Sequence, residues 1–308
     1  MSLAETIAGI AEAADIQVGA AVWHVESGQQ AAVNGDEPFP MASTFKIPIL
    51  ATACLQLAAG EINLDARLPL QDEDKSLGSG ILPYFEKGLQ PTVRDLLTLM
   101  IIISDNTATD MMVEFLGGAA VIEGTMREIG LSEIYFKHNC KDLLRFLFPD
   151  DVVDLPLEEL VAWSAQHDIL RDGLAFSRGP QNNVCTANAM NKLLHMIYSG
   201  ALFDGEVQET AISILLKQQF NVRLSRFLPP GVKVAHKTGT IGGIRNDSGI
   251  IFIGDSNHVI VTIFTEWDEA PYWNQPAAHH QRVFEVESAM GEIGRAAYDA
   301  FVTGDGAG

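Results

Sequence analysis

Apolar and polar positions change period several times along the chain, and each change predicts a different element. Ser2 followed three residues later by Glu5 reads as a capping box, and Ile7, Ile10 and Ala11 then supply the apolar stripe of a first helix ending near Asp15. Val18 to His24 and Gln30 to Val33 are extended runs joined through Glu26-Ser27-Gly28, which reads as a hairpin. Beyond Pro38 and Pro40 the period turns helical over Lys46 to Leu57, Thr92 to Ile103, Thr107 to Leu116, Ala119 to Ile129 and Ala187 to Tyr198. Short β-rich runs return at Lys233 to His236, Gly249 to Ile253 and Val259 to Phe264, punctuated by Gly242-Gly243 and Asp255-Ser256-Asn257. Gln281 to Phe301 then carries Phe284, Val286, Met290, Ile293, Ala297 and Phe301, the spacing of a closing helix packed on a sheet. The pattern therefore predicts an α/β molecule whose N- and C-terminal segments share one lobe, with a helical lobe between them. No internal repeat is present, and the glycine-rich tail after Val302 reads as disordered.

Composition narrows the function classes more than the fold. A chain of 308 residues, 47% hydrophobic and 19% charged, is long enough for a substantial core. Its 40 acidic against 20 basic residues leave a formal charge of -20, which repels nucleic acid and anionic membrane surfaces. Neither is an expected partner. Cys54, Cys140 and Cys185 are an odd number at long spacing, suited to unpaired thiols in a reducing compartment. No Lys or Arg precedes Lys46, so the sequence as written is expected to be cytoplasmic, or periplasmic or secreted if a leader has been removed.

A serine hydroxyl is a poor nucleophile at its own pKa and needs a base held close by. Ser43-Thr44-Phe45-Lys46 answers that need, because a helical spacing of three puts hydroxyl and amine on one face. A helix start at Ser43 adds backbone N–H groups and a positive dipole end that favour an oxyanion. Taken alone the tetrapeptide is weak, since composition would produce it about once in such a chain. Two companions change its standing. Ser104-Asp105-Asn106 lies between two apolar helical runs, a loop position suited to presenting a hydroxyl and an amide to a cleft. Lys237-Thr238-Gly239 lies in a β segment, where the glycine permits close backbone approach and the lysine brings positive charge.

Together these three motifs make the chain resemble class A β-lactamases and penicillin-binding proteins. The order matches, and Ser104 follows Ser43 by 61 residues, close to the family interval. The resemblance implies one catalytic domain over 1–308 with the serine β-lactamase (DD-peptidase) fold: an α/β (α+β) arrangement with an antiparallel sheet flanked by helices, plus an all-α lobe. The sheet lobe would comprise 1–42 and 231–308 and the helical lobe 43–230. Carried over residue by residue, Ser43 would attack a carbonyl and form an acyl-enzyme. The backbone N–H groups of Ser43 and Thr240 would form the oxyanion hole, and Lys46 would take the serine proton. Ser104 would relay a proton to the leaving nitrogen, and Asn106 would hold the substrate amide. Lys237 with Thr238 and Gly239 would receive a substrate carboxylate, with Arg245 a second contact. No metal or organic cofactor is implied.

The chain departs from the family at one chemical position. The Glu-x-x-Leu-Asn pattern that supplies the deacylating base is absent, and Phe136 to Leu144 takes its place, with Cys140 near where the acid would stand. Asp142, Glu158 and Glu159 are candidate substitutes, though each reads more simply as a surface carboxylate. The interval from Ser104 to Lys237 exceeds the family's by roughly thirty residues. That length falls at 145–183, where Leu155, Leu157, Leu160 and Val161 suggest an amphipathic helix, serving as a lid over the cleft or as peripheral decoration. His138-Asn139-Cys140 lacks a second ligand pair for zinc. His236 reads as a packing residue and His279-His280 as solvated. Trp267, Tyr272 and Trp273 either pack the loop after the last strand or line the cleft. The expected function is a serine acyl hydrolase opening a small-molecule β-lactam or related amide. The alternatives are a cytosolic esterase or amidase and a penicillin-binding sensor that acylates without turnover.

Overall fold

The computed structural model describes residues 1–302, so the glycine-rich tail lies outside the described residues. Ser2 Oγ accepts from the Glu5 amide and the Glu5 carboxylate accepts from the Ser2 amide, which caps helix α1 (Leu3–Ala13). Strands β1 (Gln17–His24) and β2 (Gln30–Val33) follow as a hairpin, then a short β3 (Pro38–Pro40). Helices α2 (Lys46–Ala58), α3 (Val93–Ile102), α4 (Asn106–Phe115), α5 (Ala119–Glu128), α6 (Cys140–Arg145) and α7 (Leu157–Ser164) come next. After β4 (Val184–Thr186) the chain forms α8 (Ala187–Tyr198) and α9 (Gly205–Leu215). It closes with β5 (Lys233–Ile241), β6 (Ile244–Phe252), β7 (His258–Glu266) and α10 (Pro276–Phe301).

The main sheet has the strand order β2-β1-β7-β6-β5, antiparallel throughout. Its two faces bury alternate residues, as the period of a strand requires. Ala20, Val22, Ile251, Val261 and Ile263 pack with Ile7 of α1 and Met290 and Ile293 of α10. Ala21, Ala235, Ile250, Ile260 and Phe264 face the opposite way and join the larger core built from α2 to α9. A layer of two helices thus covers one face and the helical lobe the other. The β3-β4 pair forms a second, two-stranded sheet that ties the segment before Ser43 to the chain at Val184.

Strands β5 to β7 run further than their apolar runs suggested. The additional residues, Lys237 to Ile241 and Ile244 to Ser248, include the buried polar side chains of Lys237, Thr238, Arg245, Asn246, Asp247 and Ser248. Ladder pairing continues where the hydrophobic pattern stops. All three cysteines are free and buried. The long segment 145–183 does contain a helix, α7, but none of its residues is fully buried. Leu160 and Trp163 rest on the core from one side, and Phe148 meets the Trp163 ring edge-on.

Candidate active site

Ser43 lies in a tight 3-10 turn (Ala42–Phe45) that runs directly into α2. Residues three apart eclipse in that geometry, so Ser43 and Lys46 fall on one side. Ala42, just before the serine, has φ of 43°, a left-handed conformation that an alanine adopts at some cost. Three anchors hold it there. Asn246 Nδ2 on β6 donates to the Pro40 and Met41 carbonyls, at 2.8 and 3.0 Å, and Thr44 Oγ1 donates to the Met41 carbonyl at 2.6 Å. Gly239 of β5 passes so close that a Cβ there would sit 2.8 Å from Met41 O and 3.1 Å from Ser43 N.

Lys46 is fully buried. Its Nζ lies 2.8 Å from the Ser104 carbonyl, 2.8 Å from Asn106 Oδ1 and 3.0 Å from Ser104 Oγ. Two of these partners are pure acceptors and the third is a hydroxyl that can also donate. A neutral amine is therefore as well satisfied here as an ammonium: it donates to the two carbonyl oxygens and accepts from Ser104. Burial lowers the Lys46 pKa, opposed by the acidic groups of Cys140, Asp110 and Asp105. Lys237, also fully buried, donates to the Thr238 carbonyl at 2.6 Å. Its pKa is depressed well below the usual range, by burial first and by the Lys46 charge second.

Ser104 has φ of 61° at the junction between α3 and α4. A loop from Leu77 to Leu82 fixes this strained turn from outside. Ser79 Oγ donates to the Ser104 carbonyl at 2.7 Å, and the amides of Ile81 and Leu82 donate to the Asp105 carboxylate at 2.7 and 2.9 Å. Asp105 also caps α4 through the Ala108 amide. Asn106 Nδ2 donates to the Leu77 carbonyl at 2.8 Å, so its Oδ1 is left facing Lys46.

A cavity of about 240 Å³ opens at this junction, lined by Ser43, Asn106, Thr240 and Ser79 among its polar residues and by Phe45, Leu143, Leu144 and Ile241 among its apolar ones. Cys140 completes the wall where the resemblance would place an acid. Its Sγ donates to Asn106 Oδ1 at 3.3 Å, and burial pushes the thiol pKa up. No carboxylate lines this cavity. Asp142, Glu158 and Glu159, the three acids considered as substitutes, are exposed, and none of them lines this cavity. Asp110 is buried beside Cys140, and its oxygens are already used. They accept from the Cys140 amide, the Lys141 amide and Ser76 Oγ, which pins the start of α6 against α4.

Arg245 does not line the cavity: its Nη1 donates to the Gly242 and Ile244 carbonyls and its guanidinium stacks on Trp267 at 4.9 Å. The guanidinium that reaches the site strand belongs to Arg223, which no motif signalled. It donates to the Gly239 and Asn246 carbonyls and to Thr240 Oγ1, and is paired with Glu287. Segment 145–183 contributes nothing to the wall around Ser43; Phe176 and Arg171 instead crown Gly242 at the β5-β6 turn. Trp267 and Trp273 likewise line a different cavity behind that turn. His236 is buried between Asp247 at 2.8 Å and Asn221 at 3.1 Å. Among the described residues no group of three or more His, Cys, Asp or Glu side chains is disposed to hold a metal ion. Chemically, the arrangement places the Ser43 hydroxyl in the cavity wall with two buried amines and the Ser104 hydroxyl behind that wall, which suits nucleophilic attack on a carbonyl.

Comparison with known proteins identifies what the chain is similar to. A model of the beta-lactamase enzyme family matches residues 2–301. Beta-lactamase VEB-1 of Pseudomonas aeruginosa is 23% identical over 269 residues, covering 84% of this chain and 80% of its own length. The extended-spectrum beta-lactamase PER-1 of the same organism is 25% identical over 279 residues, covering 86% and 79%. Among solved structures, a beta-lactamase from Sphaerobacter thermophilus superposes with a TM-score of 0.75 at 28% identity, covering 97% of this chain and 96% of that one. The L158E mutant of PBP-A, solved as an acyl-enzyme complex with penicillin G, superposes with a TM-score of 0.73 at 23% identity, covering 96% of both chains.

Proposed function

The chain belongs to the beta-lactamase enzyme family, and from that premise we propose that it is a serine acyl hydrolase that opens a β-lactam or related amide through an acyl-Ser43 intermediate. The observation that carries this reading is the fully buried Lys46, held by Ser104 and Asn106 one helical turn from Ser43. With its pKa lowered by burial, Lys46 takes the Ser43 proton as the hydroxyl attacks the carbonyl carbon. The backbone N–H groups of Ser43 and Thr240 receive the oxyanion, which is why close approach at Gly239 matters. The proton passes from Lys46 through Ser104 Oγ, 3.0 Å away, to the leaving nitrogen, and the C–N bond breaks. Lys237 and Thr238 stand on the site strand to receive a substrate carboxylate.

A second reading concerns the release step. The absence of any carboxylate from the Ser43 cavity, with Cys140 in its wall, favours a protein that acylates quickly and deacylates slowly. In its limiting form this is a penicillin-binding sensor, and with a labile ester or amide substrate it is a slow esterase or amidase.

Intact-protein mass spectrometry tests both readings. Penicillin G and a chromogenic cephalosporin are expected to leave a covalent adduct on the wild type and none on Ser43→Ala, and the adduct is expected to outlast its formation. No adduct with any lactam, activated ester or fluorophosphonate sinks the nucleophile assignment. An adduct lost as fast as it forms removes the slow-release reading.

A further inference from the structure

Two elements flank α4 on the side of the Ser43 cavity, and both are tied to it. Asn106 Nδ2 donates to the Leu77 carbonyl in the loop before α3, and Asp110 accepts from Ser76 Oγ of that loop and from the Cys140 amide of α6. Gly78 and Ser79 of the loop, with Cys140, Leu143 and Leu144 of the helix, wall the Ser43 cavity. The preceding loop residues Glu73, Ser76 and Leu77, with Lys141, Leu144 and Arg145 of the same helix, wall a second cavity of about 290 Å³. The two cavities are thus successive chambers along one seam, and Leu144 is the side chain they share. A Cβ at Gly78 would stand 3.7 Å from Leu144 Cδ1, so what parts the chambers is one half-buried leucine against a glycine.

Segment 145–183, absent from the wall of the first chamber, closes the second. Phe148, Val153, Leu155, Leu157 and Leu160 give it apolar walls, and the three leucines are half-buried, facing the space rather than filling it. None of its ionisable residues is buried. Lys75 pairs with Asp72 and Arg145 with Asp154, and Lys141 Nζ donates to the Glu73 carbonyl. The volume lies at the lower edge of small-molecule sites, roughly 300–1,000 Å³, which suits one arm of a larger ligand. An apolar chamber one side chain away from the Ser43 cavity favours hydrocarbon on that arm.

We propose that the second chamber holds the hydrocarbon tail of the Ser43 substrate, which makes that substrate a lactam or amide bearing a long aliphatic acyl chain beside the reacting carbonyl. The inference rests on the acyl-serine reading above. The chain leaves the first chamber between Leu144 and Gly78 and lies against Phe148, Leu155 and Leu157. Leu144 is then a specificity residue, and segment 145–183 supplies the end wall of the site rather than a lid over it.

Penicillins whose side-chain amide carries an acetyl, hexanoyl or decanoyl group differ only in reach. All three react by the same step: Ser43 Oγ bonds to the lactam carbonyl carbon, the C–N bond breaks, and the nitrogen takes the serine proton. The second-order rate of adduct formation, followed by intact-protein mass spectrometry, is expected to rise about tenfold or more from acetyl to decanoyl. Leu155→Asn and Leu157→Asn are each expected to cut that rise about threefold or more, with an acetyl rate near that of the wild type reporting an intact fold. Leu144→Trp is expected to abolish the rise by filling the passage. Tyr84→Ser removes an 85% exposed ring that lines neither chamber, and is expected to keep the rise in full. Rates independent of chain length, or a rise untouched by Leu155→Asn, Leu157→Asn and Leu144→Trp, overturn the proposal and leave the acyl-serine reading standing. No adduct with any of the three penicillins overturns both.

Discussion

At the scale of single residues, Lys46 and Cys140 are where the proposed acylation and release steps can be tested separately. Burial lowers the Lys46 pKa from its ordinary 10.5, so the unprotonated, basic form is present at a lower pH than in free lysine. The acylation rate is therefore expected to rise with pH through a midpoint below 10.5, measured by stopped-flow formation of the adduct. Lys46→Ala is expected to slow acylation by roughly 10²–10⁴-fold, the usual contribution of a positioned base. Cys140→Glu is expected to act in two directions at once. A carboxylate in that wall can activate water, so the adduct decays faster; its charge also favours the Lys46 ammonium, so the rising limb of acylation moves to higher pH. An unchanged decay rate with an unchanged pH limb would show that position 140 does not govern release. The candidate residues Ser43, Lys46, Ser104, Asn106 and Lys237 were legible in the chain as candidates, because they sit in short motifs whose chemistry is explicit. Arg223 was not, since an isolated arginine in a loop carries no pattern; its place is set by the Glu287 carboxylate and the carbonyls of two strands.

At the scale of elements, the packing of β5 on the turn that carries Ser43 is the controlling contact. A methyl group at residue 239 would sit 2.8 Å from Met41 O and 3.1 Å from Ser43 N, so one of the two backbones must retreat. Gly239→Ala is expected to lower the acylation rate by about tenfold or more while thermal stability changes by about 1–3 kcal/mol. A variant that acylates normally would mean the strand can shift without cost to Ser43. Helices whose apolar face is regular were legible to within a residue or two, as at α8 and α10's second half. Strands β5 and β6 were read short because their site-facing halves bury polar residues, and hydrophobic alternation is the wrong signal where the core has been given over to charge. Helix α6 has six residues, too few for a period, and its start is defined by Asp110 on another helix.

At the scale of the whole molecule, the long segment 145–183 is joined to the sheet lobe by a few polar contacts. Glu269, nearly buried after β7, binds Arg171 of that segment on one side and His279 of α10 on the other. Glu269→Gln leaves Arg171 without its counter-charge, at a cost of about 1–3 kcal/mol. Faster amide exchange is expected around residues 169–176, with acylation of Ser43 unchanged. Exchange that stays slow would assign the seating of the segment to the Phe176 contact with Gly242 instead. The sheet order was beyond reach of local reading for a related reason: β1 at residues 17–24 pairs with β7 at residues 258–266, across almost the full length of the chain.

That pairing also sets when the protein can first react. During synthesis Ser43, Lys46 and Ser104 leave the ribosome early, but the strand bearing Lys237 and Thr240 finds its register through β6 and β7, and β7 docks on β1. Such distant pairings form late, after the closure entropy of a long intervening chain has been overcome. Nascent and C-terminally truncated chains therefore carry the serine and its base without the opposite wall of the pocket, and reactivity begins with the completed fold.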